Sequence, residues 1–149
     1  LIEDFYKSFS DTAMQNNMVI RHYGSREKIS KKILRIIDEV VSKTKNNNGI
    51  YVNLLFNYGS RKEIEDAISK IRQSKKKIIN FRDFLYIPES KDPDLIIRTG
   101  GESRLSNFML WQCAYSELIF TKTLWPDFKI SSFNKILHRF SRIKRNHGK

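Results

Sequence analysis

Arg98 ends the apolar run 95–97, and Gly100-Gly101, Arg104 and Ser106 follow it closely. A guanidinium is a planar fork that binds phosphate oxygens in pairs. The glycine pair predicts a sharp turn with exposed backbone N–H groups, which also bind anions. In open parallel sheets, ligands bind beyond the carboxyl ends of the strands. The cluster therefore predicts a site for a doubly charged phosphate group.

These residues also have purely structural interpretations. Ser106 precedes a helix predicted over 107–116 and, taken alone, is better interpreted as its N-cap. Arg98 could form an ion pair with Glu102 or Asp94, but the complete cluster favours anion binding over that ion pair. The sequence contains neither G-x-G-x-x-G nor G-x-x-x-x-G-K-[ST], so no nucleotide-binding motif is present.

Glu117 lies where the predicted helix gives way to the next strand. A carboxylate there could hold Mg²⁺ against a bound diphosphate, because hard cations prefer oxygen ligands. A solvent-exposed glutamate at a helix end is an equally good interpretation.

Cys113 is the only cysteine, which excludes an internal disulfide and favours a reducing, cytoplasmic setting. It is predicted to be an inert buried thiol, with Phe108, Trp111 and Tyr115 around it in the core.

Strands and helices alternate along the chain. The first helix is amphipathic and starts without a capping residue; its apolar face is formed by Leu1, Ile2, Phe5, Tyr6 and Phe9. Ser25 is expected to cap a second helix, and Ser60 with Glu63 forms a capping box for a third. Strands are predicted for the run 18–20 that leads to Tyr23, and over 50–56 (buried on both faces), 95–98 and 118–120. Asn80 could cap a short helix that ends at Leu85, and a last helix is predicted with inward-facing residues Phe133, Ile136, Leu137, Phe140 and Ile143. This alternation predicts an α/β fold with a mostly parallel sheet flanked by helices, in a single domain over 1–149.

Composition excludes several classes of protein. The 149 residues are 40% hydrophobic and 30% charged, which argues against wholesale disorder. No apolar run is long enough to cross a bilayer, and no basic-then-apolar leader opens the sequence. The 28 Lys and Arg against 16 Asp and Glu give a net charge of +12, so an anionic partner is expected: nucleic acid, acidic membrane or a phosphorylated small molecule.

One long stretch resembles a known family. Residues 92–128 resemble the C-terminal signature of the cis-prenyltransferases, a family that comprises the undecaprenyl diphosphate synthases and their dehydrodolichyl relatives. The stretch reads DPDLIIRTGGESRLSNFMLWQCAYSELIF and continues to LWPDF. A weaker similarity links 53–61 to the family's N-Y-x-G-R region and 44–49 to the segment before it. The resemblance implies a cis-prenyltransferase-like fold whose N-terminal part is missing, which would explain the uncapped start at Leu1.

The resemblance also implies an activity. Members of the family condense isopentenyl diphosphate repeatedly onto an allylic diphosphate such as farnesyl diphosphate, and Mg²⁺ assists the departing diphosphate. Arg98, Arg104 and Ser106 would bind the diphosphate of isopentenyl diphosphate, and Glu117 would help to place the metal. A homodimer in the cytoplasm is implied as well. The excess positive charge suggests in addition a peripheral contact with anionic membrane, where a long lipid product must leave.

Two departures from the family pattern stand out. The family's opening motif, with Asp-Gly-Asn-Gly-Arg at its centre, supplies the essential aspartate, yet none of the six glycines here follows an aspartate. We therefore expect the catalytic aspartate upstream of Leu1 and no complete catalytic site in this chain. Many members end in an R-x-G motif that reaches the neighbouring subunit's site; here Asn146 replaces that arginine, unless Arg145 substitutes for it.

Two other functions remain compatible with the sequence. A nucleic-acid-binding module would rest on the net charge and on the basic residues of the last helix, Lys135, Arg139, Arg142, Lys144 and Arg145. No aromatic RNA-stacking signature or DNA-binding motif accompanies them. A non-catalytic partner subunit of a prenyltransferase is the second alternative, and the intact loop over 98–107 argues against it.

Overall fold

The computed structural model describes the backbone of residues 2–145 and the side chains of residues 8–145. The chain forms two compact units, Leu1–Pro88 and Glu89–Lys149. Each unit contains one pair of parallel strands in the described residues, so the predicted α/β class and parallel pairing are confirmed. The single domain predicted over 1–149 stays a prediction.

The first unit, Leu1–Pro88, combines three described helices with one pair of strands. Its elements are α1 (Ile2–Gln15), β1 (Val19–Tyr23), α2 (Lys31–Thr44), β2 (Tyr51–Leu55), α3 (Ser60–Gln73) and a 3₁₀ turn (Phe81–Phe84). The strands pair from Val19 opposite Tyr51 to Tyr23 opposite Leu55. The predicted Asn80 cap is confirmed, since its side chain accepts a hydrogen bond from the Arg82 N–H.

The core of the first unit lies between α1, α2 and β1. Its buried members are Ala13, Ile20, Ile36, Ile37 and Val40. Thr44 is fully buried beside them; its hydroxyl accepts from the Ile20 N–H at 3.1 Å and donates to the Val40 carbonyl at 3.0 Å, so its polarity is satisfied inside the core. The side chains of Ile2, Phe5 and Tyr6, predicted for the inner face of α1, lie outside the described residues.

The predicted start of α2 is wrong. Ser30, not Ser25, caps this helix, and its Oγ accepts from the Ile33 N–H at 3.3 Å. Ser25 instead accepts from the Glu27 N–H in a tight turn at 3.2 Å. Lys28 has a left-handed φ of 60°, which a right-handed helix cannot include. The helix therefore begins only after this turn.

The capping box predicted for α3 is also wrong. Gly59 precedes the helix, and no side chain caps it. Glu63 is fully buried and its carboxylate accepts hydrogen bonds from the Tyr58 hydroxyl at 2.5 Å and the Tyr86 N–H at 2.9 Å. The glutamate thus makes tertiary contacts in place of the local one.

In β2, predicted to be buried on both faces, Tyr51 is exposed and the other residues are half-buried, because β1 is its one described strand partner.

The second unit, Glu89–Lys149, contains β3 (Leu95–Arg98), β4 (Glu117–Phe120), a 3₁₀ turn (Trp125–Asp127) and α4 (Ile130–Phe140). Leu95 pairs with Glu117 and Arg98 with Phe120. Of the residues predicted to face inward from the last helix, Phe133, Ile136 and Phe140 are half-buried. Ile143 is also half-buried but lies beyond the end of α4, so its predicted place on the helix is wrong. Leu137 is exposed, so its predicted burial is wrong.

No helix forms over 107–116, and that prediction is wrong. The segment is a series of turns, with left-handed φ angles of 50° at Ser106, 65° at Asn107 and 47° at Met109. A right-handed helix needs φ near −63°. Phe108, Trp111 and Tyr115 are exposed and not in the core as predicted. None of the described helices is long and apolar enough to span a membrane.

Candidate anion-binding site

The loop after β3 is held by backbone hydrogen bonds that extend the β3–β4 pairing. Thr121 N–H donates to the Arg98 carbonyl, Gly100 N–H to the Thr123 carbonyl and Gly101 N–H to the Thr121 carbonyl, each at 2.9 Å. The glycine amides are therefore already used, and the prediction that they are exposed to an anion is wrong. Their contribution is to fix the position of the residues that follow.

The conformation of this loop requires glycine. Gly100 and Gly101 have φ angles of 93° and 86°, a region that residues with a Cβ rarely adopt. A Cβ added at Gly100 would meet no atom within 4 Å. The requirement is thus conformational and not one of space, and it reverses the chain direction so that 104–106 return towards Arg98.

Arg98 and Ser106 are brought together as predicted. The Nη1 atom of Arg98 donates to Ser106 Oγ at 2.9 Å and to the Arg104 carbonyl. Both side chains line a cavity of about 380 Å³, whose walls are Ile96, Ile97, Arg98, Thr99, Leu105, Ser106 and Phe108. Because those contacts use one terminal nitrogen, the other terminal nitrogen and Nε of the guanidinium keep donors for an anion. The interpretation of Ser106 as a helix cap is wrong, since no helix follows it.

Arg104 is not oriented as predicted. Its guanidinium forms a salt bridge with Glu102, and both side chains are largely exposed. It does not contribute to the wall of the cavity. The ion pairs considered for Arg98 are made by other arginines, since Glu102 pairs with Arg104 and Asp94 with Arg145. The cavity thus holds one of the two predicted guanidiniums.

Glu117 lies at the other end of the strand pair. It is the first residue of β4 and pairs with Leu95, three residues before Arg98, which corresponds to about 10 Å along the strand. Magnesium is commonly bound by one or two carboxylates together with phosphate oxygens. Among the described residues, no group of three or more His, Cys, Asp or Glu side chains could hold a metal. Within one chain, a metal ion therefore cannot contact both the Glu117 carboxylate and a diphosphate bound at Arg98. The metal role of Glu117 stays a prediction.

The surroundings of Cys113 favour the prediction that its thiol is unreactive. Its Sγ donates to the Leu110 carbonyl at 3.6 Å, and the residue is partly buried. Burial raises the pKa of the Cys113 thiol, which lowers the fraction of nucleophilic thiolate.

Sequence reasoning missed the role of Arg145. Its side chain is 19% exposed, with Nη1 2.5 Å from the Asp94 carboxylate and Nη2 donating to the Tyr115 carbonyl at 3.1 Å. The guanidinium also lies 5.7 Å from the Phe140 ring centre. Arg145 therefore connects the segment that follows α4 to the residues before β3 and β4, in its own unit. Asn146 lies outside the described residues, and no sequence pattern links an arginine to partners 51 and 30 residues away.

A second cavity in the first unit was not predicted either. It measures about 290 Å³ and lies beyond the carboxyl ends of β1 and β2, lined by Ser25, Glu27, Lys28, Asn57, Tyr58, Gly59, Lys62 and Tyr86. The Tyr86 hydroxyl donates to Asp66 at 2.5 Å, and Lys62 pairs with the same carboxylate at 2.5 Å. Burial and this hydrogen bond raise the pKa of Tyr86. The pKa of Asp66 is lowered, because the bonds from Lys62 and Tyr86 outweigh its burial.

Relatives with the same fold have been solved. A probable undecaprenyl diphosphate synthase from Campylobacter jejuni matches 98% of this chain and 70% of its own, at 32% identity and a TM-score of 0.89. Lavandulyl diphosphate synthase from Lavandula x intermedia, in complex with dimethylallyl diphosphate, matches 99% of this chain and 68% of its own, at 28% identity and a TM-score of 0.92. The chain thus has the fold of prenyl diphosphate synthases.

Curated sequences agree with the structures. The isoprenyl transferase of Aquifex aeolicus is 39% identical over all of this chain, and that of Thermotoga maritima is 46% identical over 87% of it. The chain spans 66% and 58% of those two relatives. The family model described as "Putative undecaprenyl diphosphate synthase" matches residues 1–148. The chain therefore belongs to the undecaprenyl diphosphate synthase family of prenyltransferases.

Proposed function

We propose that the cavity at Arg98 binds the diphosphate of isopentenyl diphosphate for cis-prenyl chain elongation. The observation that carries this proposal is the Arg98–Ser106 contact on the wall of a cavity at the carboxyl end of β3. That end of a parallel strand is where ligands of such sheets bind. Family membership supports the substrate class, since the lavender relative was solved with a prenyl diphosphate.

The lining of the cavity suits both ends of this substrate. The remaining donors of the Arg98 guanidinium would bind two oxygens of the diphosphate, and Ser106 Oγ would donate a further hydrogen bond. Apolar side chains form the other walls and suit the five-carbon isopentenyl group; they are Ile96, Ile97, Leu105 and Phe108. Arg104 would assist once an anion competes with Glu102 for its guanidinium.

The complete reaction needs groups beyond this site. Elongation joins isopentenyl diphosphate to an allylic diphosphate, and the family's aspartate-glycine motif for the allylic loop does not occur in the 149 residues. We propose accordingly that this chain binds isopentenyl diphosphate but does not by itself catalyse prenyl transfer. Glu117 would be one carboxylate ligand of an Mg²⁺ ion that serves the departing allylic diphosphate, and not the diphosphate on Arg98, which lies about 10 Å away along the strand. A homodimer, a cytoplasmic location and a peripheral contact with anionic membrane belong to the same proposal.

Isothermal titration with isopentenyl diphosphate tests the site. Arg98→Ala is expected to weaken binding on the order of 30-fold, because a charge-assisted contact contributes about 2 kcal/mol. Arg104→Ala is expected to have a smaller effect, since its guanidinium already pairs with Glu102. Arg139→Ala is the matched control, because it removes the same charge from exposed α4. Equal affinity in the Arg98 variant and the parent would refute the site.

The nucleic-acid alternative predicts a different result. A polynucleotide should then displace isopentenyl diphosphate or bind more tightly than it, with an affinity that falls steeply as salt rises. The basic group predicted for the last helix is divided, since α4 ends at Phe140 and Arg142, Lys144 and Arg145 lie beyond it. Arg145 is also paired with Asp94. We expect polynucleotide at 0.15 M salt to leave isopentenyl diphosphate binding unchanged.

A further inference from the structure

A basic and apolar loop projects from the first unit between α3 and the 3₁₀ turn. Lys75, Lys76 and Lys77 are exposed there, Ile78 is 89% exposed and Ile79 is 44% exposed. Neighbouring exposed isoleucines are unfavourable in water, and Ile78 in particular could bury most of its side chain against an apolar partner. We call residues 74–80 the lysine–isoleucine loop.

The two ends of the lysine–isoleucine loop are fixed. Ser74 N–H donates to the Ile71 carbonyl at 3.0 Å, and the Ser74 hydroxyl accepts from the Lys76 N–H at 3.2 Å. Asn80 caps the 3₁₀ turn through the Arg82 N–H at 3.2 Å. Both ends of the loop are therefore held by hydrogen bonds, and Ile78 between them is almost fully exposed.

Charge around the loop is mainly positive. Residues 70–84 contain six Lys and Arg, namely Lys70, Arg72, Lys75, Lys76, Lys77 and Arg82, and one acidic residue, Asp83. Lys76 lies 3.9 Å from Asp83 and 5.5 Å from the Phe84 ring centre. Even with that acidic partner, the surface has a strong positive excess that complements an anionic surface.

We infer that the lysine–isoleucine loop docks onto an anionic lipid bilayer, with its lysines at the phosphate headgroups and Ile78 and Ile79 inserted at the acyl boundary. Lysines near such a surface are attracted by its negative potential, and apolar side chains gain free energy when they leave water. A nucleic acid would complement the lysines but gives the isoleucines no apolar partner. The inference deepens the membrane contact of the proposed function and rests on it.

Vesicle sedimentation with the full chain tests this inference. The parent is expected to bind vesicles of phosphatidylcholine with 30% phosphatidylglycerol, which have roughly the anionic content of a physiological membrane. It is expected to bind vesicles of pure phosphatidylcholine weakly. Changing Lys75, Lys76 and Lys77 together to Gln should weaken binding to the anionic vesicles on the order of 100-fold. Ile78→Ser should weaken it about tenfold without any change of charge.

The matched control removes the same charge elsewhere. Changing Lys135, Arg139 and Arg142 together to Gln should leave vesicle binding within about threefold of the parent, because only the long-range field changes. The inference is overturned if this control loses as much as the loop triple variant, or if Ile78→Ser binds like the parent. Polynucleotide binding that needs the loop lysines and ignores Ile78→Ser would also overturn it.

The two proposals fail separately. Both loop variants are expected to bind isopentenyl diphosphate with parental affinity and to keep the parental far-ultraviolet circular dichroism spectrum. One outcome would contradict the inference about the loop alone. In that outcome only Arg98→Ala loses diphosphate binding, and vesicle binding is the same in the parent and the loop variants. Loop-dependent vesicle binding in a chain that binds no isopentenyl diphosphate would contradict the proposed function alone.

Discussion

Glu63→Ala should destabilise the first unit strongly. The buried carboxylate accepts two hydrogen bonds, from the Tyr58 hydroxyl and the Tyr86 N–H. Its removal leaves both donors without this acceptor in a poorly solvated place, at about 1.5 kcal/mol each, or about 3 kcal/mol together. For a unit of this size that corresponds to a fall in melting temperature of about 12 °C or more. Tyr58→Phe, which removes one donor, should show about half of this loss.

The two units can be followed separately in the same experiment. Of the described helices, three of 14 residues lie in the first unit and one of 11 lies in the second, so ellipticity at 222 nm reports mainly the first unit. Both tryptophans, Trp111 and Trp125, lie in the second unit and report it by fluorescence. Glu65→Ala, at an exposed position of the same helix, is the control and should change stability by less than about 0.5 kcal/mol. A Glu63→Ala variant that melts like this control would refute the reasoning.

Three further predictions follow from single contacts. Arg145→Ala should destabilise the second unit by about 1–2 kcal/mol in a tryptophan-monitored denaturant titration, because it loses the Asp94 and Tyr115 contacts, and Arg142→Ala should not. Glu102→Gln should tighten isopentenyl diphosphate binding by up to about fivefold in calorimetry, because it releases the guanidinium of an exposed salt bridge; weaker binding would contradict this. Burial lowers the pKa of His22 below 6.5, so the unfolded chain binds the proton more readily; the free energy of unfolding should fall as pH drops below about 6.5, and His22→Gln should reduce that dependence.

Local signals in the sequence were sufficient for the strands. Short apolar runs bounded by turn residues predicted β1, β3 and β4 within about two residues of their ends. The wrong helix over 107–116 shows the limit of such reasoning. Helical spacing of Phe108, Trp111 and Tyr115 resembled an amphipathic helix, but left-handed backbone at Ser106, Asn107 and Met109 replaces it. Spacing alone does not reveal where backbone conformation departs from the helix.

The candidate site was predicted in composition but not in geometry. Arginine, serine and glycine in one loop pointed to an anion, and Arg98 with Ser106 indeed meet on one cavity wall. The sequence could not show that Gly100 and Gly101 use their amides on the facing strand, or that Arg104 pairs with Glu102. Those contacts depend on the register of β3 and β4, which is a tertiary property.

Long-range contacts were beyond the reach of sequence patterns. Glu63 was interpreted through its neighbour Ser60, yet it bonds to Tyr86, 23 residues away. Arg145 was considered for a neighbouring subunit, yet it contacts Asp94 of its own unit. In both cases a charged side chain is fixed by partners that only the folded chain brings near.

The most direct test of the central claim is nuclear magnetic resonance of the arginine side chains during titration with isopentenyl diphosphate. The Nε–H signal of Arg98, assigned with Arg98→Lys, should shift and saturate at one equivalent of ligand, whereas that of Arg139 should stay in place. A signal of Arg98 that does not move when binding is complete would contradict the account. Equal shifts of all arginine signals would contradict it as well, because they would indicate a general effect of charge.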